Sequence, residues 1–161
     1  WWQKAYILHK GKEMSTLDDE KVLEILQYLD NAIKAQPTGY TTAKYQIFQS
    51  KTVFLTKLHQ YDKALECLDE IKVHDEDHYQ KIYILQQKVT LYGKLKKYEK
   101  AVELCDKVLD IEPKNIESLV MKGKLLNTMK LADVAQEPFG KAIELGWNPE
   151  NEKLSAITRR K

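Results

Sequence analysis

The chain has 161 residues, of which 43% are hydrophobic and 31% charged, and its formal net charge is +2. This composition favours a folded core with a well-solvated surface and disfavours disorder along the whole chain. With only six Gly and four Pro, many-stranded sandwiches are disfavoured and long helices are favoured. Because no apolar run reaches about 18 residues, we predict no membrane insertion.

The first residues are Trp1 and Trp2, with no initiator Met, which we interpret as the start of a fragment or of a processed form of a longer protein. Further along, Cys67 and Cys105 fall on the apolar stripes of separate predicted helices. We predict that both are buried free thiols, the usual state of cysteines in such positions. This use of cysteine favours a cytosolic, that is cytoplasmic, location.

One segment recurs along the chain. Residues 61–71 read YDKALECLDEI, and 37 positions later residues 98–108 read YEKAVELCDKV. The pattern returns 34 positions further on, from Ala132, and an earlier copy ends at Pro37 as the copy at 98–108 ends at Pro113. Self-similarity at a nearly fixed period indicates a repeat architecture.

Each copy follows a stretch that carries apolar or small residues on one helical face. In the last copy these residues are Leu119, Gly123 and Leu126, at spacings of four and three. The repeating unit is therefore predicted to be a helix, a short turn and a second helix, with a period near 34 residues. Small residues such as Gly123 and Ala101 are expected where helices approach, and large ones such as Phe139 where holes must be filled.

In these motifs the chain resembles the tetratricopeptide repeat family over nearly its whole length. The copies from Ile82 to Asn115 and from Ile116 to Pro149 each fit a 34-residue unit without gaps. The resemblance implies an all-α fold, a right-handed α-solenoid of about four helical hairpins. We predict a single repeat domain over 1–161, with hairpins at 1–39, 40–78, 79–115 and 116–149 and a short capping helix at 150–161.

The sequence departs from the family pattern in two ways. Lysines stand where the family usually has an apolar residue, and we expect them to extend along the stack towards solvent. They are Lys10, Lys51, Lys88 and Lys122. In addition, Pro138 lies inside a predicted second helix, where an interior proline costs about 3 kcal/mol, so we expect that helix to start late or to kink.

Charge is sorted between the two helices of each hairpin. The first helices together contain fourteen lysines and two acids, whereas the second helices contain seventeen acids and eight lysines. The resemblance implies that the first helices line a concave groove, which is therefore predicted to be electropositive. The first helices are predicted at 1–15, 40–60, 79–97 and 115–130, and the second at 18–36, 61–73, 98–114 and 131–146.

We predict a partner-binding groove from the residues of the first helices that lie off the buried stripe. Glutamine and threonine side chains would hydrogen-bond an extended backbone, Tyr83 and Val120 would hold an apolar side chain, and the lysines would attract carboxylates. The alternative is that the lysines form only a solvated face. The predicted groove set is Lys12, Gln49, Val53, Lys57, Tyr83, Gln86, Thr90, Lys94, Val120, Lys124 and Asn127.

Members of the family that hold the C-terminal carboxylates of a chaperone use a fixed set of Lys, Asn and Arg side chains. In this chain the predicted first helices contain no Arg, and Gln49 and Val53 stand where Lys and Asn would be needed. Docking of a chaperone tail is therefore disfavoured.

Residues 74–78 read HDEDH and are a candidate metal site. Two histidines four residues apart would lie on one helical face, which suits a metal, but no third ligand is evident. We interpret the segment as a linker whose acids cap the next helix, and we predict no metal and no cofactor. No Gly-rich phosphate loop, nucleophile elbow or pair of converging carboxylates is present, so no enzymatic activity is predicted.

The function that these patterns favour is a protein-interaction scaffold that binds another protein or a peptide segment, with an acidic segment favoured by the lysines. An RNA-binding helical repeat is the first alternative, and it is disfavoured because the net charge is only +2 and the predicted groove lacks Arg. The second alternative is an accessory repeat domain of a larger protein whose catalytic part lies outside this sequence. The oligomeric state is left open.

Overall fold

The computed structural model describes residues 17–35, 42–74 and 76–150. Within these ranges the chain forms seven α-helices and no strand, which confirms the all-α fold class. The first predicted helix with Lys12, the Pro37 turn and residues 151–161 of the predicted capping helix lie outside the described ranges. The helices are α1 (Asp19–Lys34), α2 (Thr42–Lys57), α3 (Tyr61–Asp69), α4 (His78–Lys94), α5 (Tyr98–Ile111), α6 (Ile116–Thr128) and α7 (Ala132–Glu144).

The chain divides into two compact units, Trp1–Lys81 and Ile82–Lys161. In the first unit α2 packs against both α1 and α3. In the second unit α6 packs against both α5 and α7, and Val89 of α4 joins the core that α5 and α6 form. Within each unit, helices that follow one another in sequence therefore pack side by side, as a helical-hairpin repeat requires.

Side-chain caps set where several helices begin. Asp18 accepts a hydrogen bond from the Lys21 N–H (2.8 Å) ahead of α1, and Asp77 accepts one from the Gln80 N–H (3.0 Å) ahead of α4. Each bond satisfies an N–H group that the first helical turn leaves without a partner. The prediction that acids in the linker at 74–78 cap the next helix is thus confirmed for Asp77.

The turn between the two helices of a hairpin has the same backbone conformation in three places. His59, Lys96 and Lys130 have positive φ angles of 58°, 58° and 63°. Each donates its N–H to the carbonyl three residues earlier (3.0 to 3.1 Å), and the next residue donates to the carbonyl five residues earlier (2.9 Å). This pair of bonds is the Schellman motif, which usually places glycine at the left-handed position, as Gly146 does after α7.

Replacing Lys96 or Lys130 with Gly is expected to raise the free energy of unfolding by about 0.5–1 kcal/mol. Relief of the left-handed strain contributes about 1–2 kcal/mol, and the extra freedom of glycine in the unfolded chain removes part of that gain. Urea denaturation followed by circular dichroism measures the change. Lys107→Gly, at an exposed site inside α5, should instead lower stability by about 1 kcal/mol. A loss of stability in Lys96→Gly would contradict the assignment of a strained, left-handed backbone to Lys96.

Small residues lie where the helices approach one another, as predicted. Ala64, Ala101 and Ala135 are buried. Gly123 of α6 faces the ring of Phe139 on α7, and a Cβ atom added to Gly123 would lie 2.7 Å from that ring. The close contact between these two helices therefore depends on the absence of a side chain at Gly123.

Helix α7 is continuous from Ala132 to Glu144 and contains Pro138 in its interior. It begins at Ala132, the position equivalent to Tyr98 of α5, so the predicted late start is wrong. The ring of Pro138 is buried, and burial of its apolar surface offsets part of the cost of the missing N–H donor.

Two lysines at the departing positions form ion pairs between consecutive hairpins. The Lys51 ammonium lies 2.6 Å from the Asp30 carboxylate, and the Lys122 ammonium lies 2.5 Å from the Asp106 carboxylate. In both pairs the acid belongs to the second helix of one hairpin and the lysine to the first helix of the next. An ionic contact thus replaces the apolar contact that the family usually has there.

Candidate interaction site

Among the described residues of the first unit, those of the predicted groove set form one stripe on α2. Gln49, Val53 and Lys57 follow at spacings of four, and all three are half-buried. The Gln49 side-chain amide donates to the Tyr45 hydroxyl (2.8 Å), and the Lys57 ammonium donates to the main-chain carbonyl of Leu17. Two of these three side chains therefore already have partners within the first unit.

On α4, Gln86 links two hairpins of the second unit. Its side-chain amide donates to the Asn115 side-chain oxygen Oδ1 (3.2 Å) and to a Glu117 carboxylate oxygen (3.2 Å). Asn115 in turn caps α6 by accepting a hydrogen bond from the Ser118 N–H (2.9 Å). Gln86 therefore joins α4 to the start of α6, a structural role that its predicted position on a groove did not reveal.

The other α4 residues of the predicted groove set differ in exposure. Thr90 and Lys94 are exposed, whereas Tyr83 is half-buried. Burial raises the pKa of the Tyr83 hydroxyl, so this group stays protonated at neutral pH. The Thr90 hydroxyl donates to the Gln86 main-chain carbonyl (3.1 Å), which leaves its oxygen as a hydrogen-bond acceptor.

On α6 the structure separates Val120 from Lys124 and Asn127. The two polar residues are exposed, but Val120 is only 6% exposed and packs in a core cluster with Leu119 and Ala142. Val120 is therefore less accessible than Lys124 and Asn127, because α7 and the segment after it pack against this side of α6.

Val120 nevertheless contributes to an open cleft of about 490 Å³ in the second unit, which we term the α6 cleft. A volume of this order can accept a large side chain or a short segment of chain. The lining is mostly apolar and carries two opposite charges, the Lys124 ammonium and the Glu117 carboxylate. The α6 cleft is lined by Ile116, Glu117, Val120, Met121, Lys124 and Trp147.

Four residues of this cleft are absent from the predicted groove set, and of these Trp147 is the one that does not lie on a first helix. It follows α7 directly after the Schellman turn at Gly146, whose geometry returns the chain towards α6. Its ring stacks on Phe139, with centroids 5.5 Å apart and planes 13° apart. A tryptophan placed just after a helix stop was the available signal, although its partner could not be read from local spacing.

The sorting of charge that the sequence predicts is present in the described helices. Within these ranges α2, α4 and α6 contain eight lysines and one acid, Glu117. Helices α1, α3, α5 and α7 contain fourteen acids and six lysines. The helix that carries the α6 cleft is thus one of the basic set.

The structure does not place the two histidines of segment 74–78 on one helical face. His78 is the first residue of α4, and His74 lies before the helix, so that expectation is wrong. Among the residues that the structure describes, no three His, Cys, Asp or Glu side chains are grouped to hold a metal ion. Nor does any helix in these ranges have the length and apolar character needed to cross a membrane.

The two cysteines are free and buried, as predicted. Burial, with a smaller contribution from Asp106, raises the pKa of the Cys105 thiol to about 12. Burial also raises the pKa of Cys67. Because the thiolate is the reactive form of cysteine, neither thiol is activated as a nucleophile.

With this geometry established, comparison with known proteins identifies the repeat. Residues 82–115 match the family model described as tetratricopeptide repeat, and these are the limits predicted for a gapless copy. A comparison with curated protein sequences gave no match.

Several solved structures share the fold. MamA (residues 41 to the end) from Desulfovibrio magneticus RS-1 has a TM-score of 0.60 and 22% identity, over 78% of this chain and 67% of that one. A tetratricopeptide repeat protein from Parabacteroides merdae has a TM-score of 0.68 and 20% identity, over 89% of this chain and 51% of that one. The chain thus spans between about half and about two thirds of the length of these proteins.

A further neighbour is the first TPR of Spaghetti (RPAP3) bound to the HSP90 peptide SRMEEVD. Its TM-score is 0.57 at 19% identity, over 77% of this chain and 98% of that one. Together the comparisons assign the chain to the class of all-α helical-repeat, or α-solenoid, folds. More particularly, the family model confirms the resemblance to the tetratricopeptide repeat for residues 82–115, and the solved structures share the helical-repeat fold.

Proposed function

We propose that this chain is a protein-interaction scaffold and that it binds a segment of another protein at the α6 cleft. The observation that carries the proposal is the cleft itself, in which an exposed lysine adjoins an apolar lining. An apolar side chain of the partner would bury against Val120 and Trp147, and burial of such a side chain contributes about 1.5–3 kcal/mol. The tetratricopeptide repeat fold and its peptide-bound neighbour support this class of function.

The partner segment is proposed to be acidic. Lys94 on α4 and Lys124 on α6 are both exposed in the second unit, and the first helices there carry few acids. Such a charge distribution accelerates encounter with a negative segment and disfavours a positive one. The peptide bound in the Spaghetti structure also contains acidic residues, within the sequence EEVD.

A chaperone tail is not the partner that we propose. Gln49 is bonded to Tyr45, and the aliphatic Val53 has no hydrogen-bonding group, so α2 does not supply the polar pair that a terminal carboxylate would need. The proposal therefore concerns an internal or extended acidic segment with an apolar anchor.

Combining Lys94→Glu with Lys124→Glu should weaken binding of an acidic peptide by about tenfold at low salt, which corresponds to about 1.4 kcal/mol. The probe is a fluorescein-labelled synthetic peptide with two central Leu residues flanked by Asp, and fluorescence anisotropy measures its affinity. Raising the salt concentration should narrow the difference, because salt screens exposed charges.

The matched control is Lys100→Glu combined with Lys107→Glu, two exposed lysines of the same unit that belong to α5 and not to the basic first helices, and neither of which lines the α6 cleft. This variant should keep the wild-type affinity within about twofold, since distant charges contribute little at a bound interface. Equal losses in both pairs would show only a general charge effect and would contradict the proposed site.

A further inference from the structure

A second open cleft, of about 670 Å³, lies in the first unit and is lined by residues of α1, α2 and α3. We term it the α1–α3 cleft. Its apolar lining includes Leu26 and Leu55, which are buried, and Leu23, which is 53% exposed. An exposed leucine beside buried aliphatic residues provides apolar surface that a bound side chain would remove from water.

Charged side chains surround this apolar lining. Because Lys51 lies 2.6 Å from Asp30, these two residues neutralise each other. The remaining carboxylates outnumber the remaining ammonium group, so the α1–α3 cleft is acidic. The charged residues that line it are Glu20, Glu24, Asp30, Lys51, Lys63 and Glu66.

The carboxylates come from both helices that flank the cleft. Glu20 and Glu24 lie four residues apart on α1, Glu66 lies on α3, and all three are exposed. Glu24 accepts a hydrogen bond from the Tyr28 hydroxyl (3.0 Å), which restrains its side chain and leaves its negative charge in place. A cationic group in the cleft would therefore meet carboxylates from two helices, as guanidinium and ammonium groups prefer.

We infer that the α1–α3 cleft binds a basic segment of a partner protein, in which an aliphatic side chain is flanked by Arg or Lys. The aliphatic side chain packs against Leu23 and Leu26, and the flanking cations pair with the carboxylates of α1 and α3. Anionic membrane surfaces are disfavoured, because the exposed carboxylates repel them. This partner differs in charge from the acidic segment proposed for the α6 cleft, so the two clefts select different segments.

A synthetic peptide tests the inference directly. The probe is a fluorescein-labelled peptide with two central Leu residues, each flanked by Arg, and its twin has neutral Gln in place of every Arg, so that it is not an acidic ligand for the α6 cleft. At low salt the basic peptide should bind with a Kd of about micromolar order, and the twin should bind about tenfold more weakly. Equal binding of the two peptides would overturn the charge complementarity on which the inference rests.

Charge reversal by Glu20→Lys with Glu24→Lys should weaken binding of the basic peptide by about tenfold. Charge neutralisation by Glu20→Gln with Glu24→Gln should weaken its binding by about threefold. The matched control is Glu99→Lys with Glu103→Lys, at two exposed acids four residues apart on α5. This control should keep the affinity for the basic peptide within about twofold of the wild-type value. Circular dichroism verifies that each variant is folded. Unchanged binding in both Glu20/Glu24 variants would overturn the site.

Methyl NMR spectra locate the bound peptide, since the resonances of Leu23, Leu26 and Leu55 should shift on titration. Shifts elsewhere without shifts at these methyl groups would overturn the inference.

Sedimentation velocity tests a second copy of the chain as the occupant. If the chain forms a dimer, and if Glu20→Lys with Glu24→Lys dissociates that dimer, the cleft binds a second copy and the inference is overturned. Lys94→Glu with Lys124→Glu should not weaken binding of the basic peptide. This variant therefore distinguishes binding at the α1–α3 cleft from binding at the α6 cleft.

Discussion

Replacing Leu119 with Ala is expected to lower the free energy of unfolding of the second unit by about 3 kcal/mol. Leu119 is 3% exposed and lies on α6 in a cluster with Val120 and Ala142. Leu109 of α5 and Phe139 of α7 pack against the same cluster. The substitution therefore removes buried methyl groups and leaves a cavity between three helices, and both effects destabilise the fold.

Urea denaturation of the purified chain, followed by circular dichroism, measures this loss. Leu131→Ala is the matched control, since it removes the same atoms from a side chain of the same hairpin that is 43% exposed. The control is expected to change the free energy of unfolding by about 0.5 kcal/mol or less. Similar losses in the two variants would contradict the assignment of Leu119 to the core.

The limits of the helices could be predicted from the sequence because they depend on local information. Apolar spacing and a following proline predicted helices at 98–114 and 115–130, and the structure has them at Tyr98–Ile111 and Ile116–Thr128. Small residues also marked the close helix contacts, since a helix pair at short range leaves no volume for a large side chain. Repetition at a nearly fixed period strengthened each of these local signals.

The turns could not be predicted in the same way. His59, Lys96 and Lys130 adopt a left-handed backbone that non-glycine residues rarely adopt. Nothing in these residue types signals that conformation, which the two packed helices on either side impose. The energy of helix packing thus outweighs a local strain of about 1–2 kcal/mol at each turn.

The candidate site was predicted only in outline. Spacing placed Val120 and Lys124 on one helix, but the burial of Val120 depends on neighbours that lie more than 15 residues away, such as Ala142. Spacing likewise could not show that Gln86 bonds to the start of α6 or that Lys57 bonds to the Leu17 carbonyl. Polar side chains at exposed helical positions have several possible partners, and only the packed structure selects among them.

Gly123→Val is expected to lower the free energy of unfolding by about 2–3 kcal/mol, in the upper part of the usual cost of about 1–3 kcal/mol for overfilling a packed core. The first added carbon would lie 2.7 Å from the Phe139 ring, and that ring is also held by its stack on Trp147. Valine has a higher helix propensity than glycine, so a loss of stability must come from the steric contact. Urea denaturation measures it.

A control and a double mutant distinguish this contact from a general effect of changing a helical glycine. Gly140 of α7 has no atom within 4 Å of an added Cβ, so Gly140→Ala should raise stability by about 1 kcal/mol. Combining Gly123→Val with Phe139→Leu shortens the opposing side chain, and the double mutant should lose about 1 kcal/mol less than the sum of the single losses. Additive losses would show that the two side chains do not compete for the same volume, and the close approach of α6 and α7 would then need another cause.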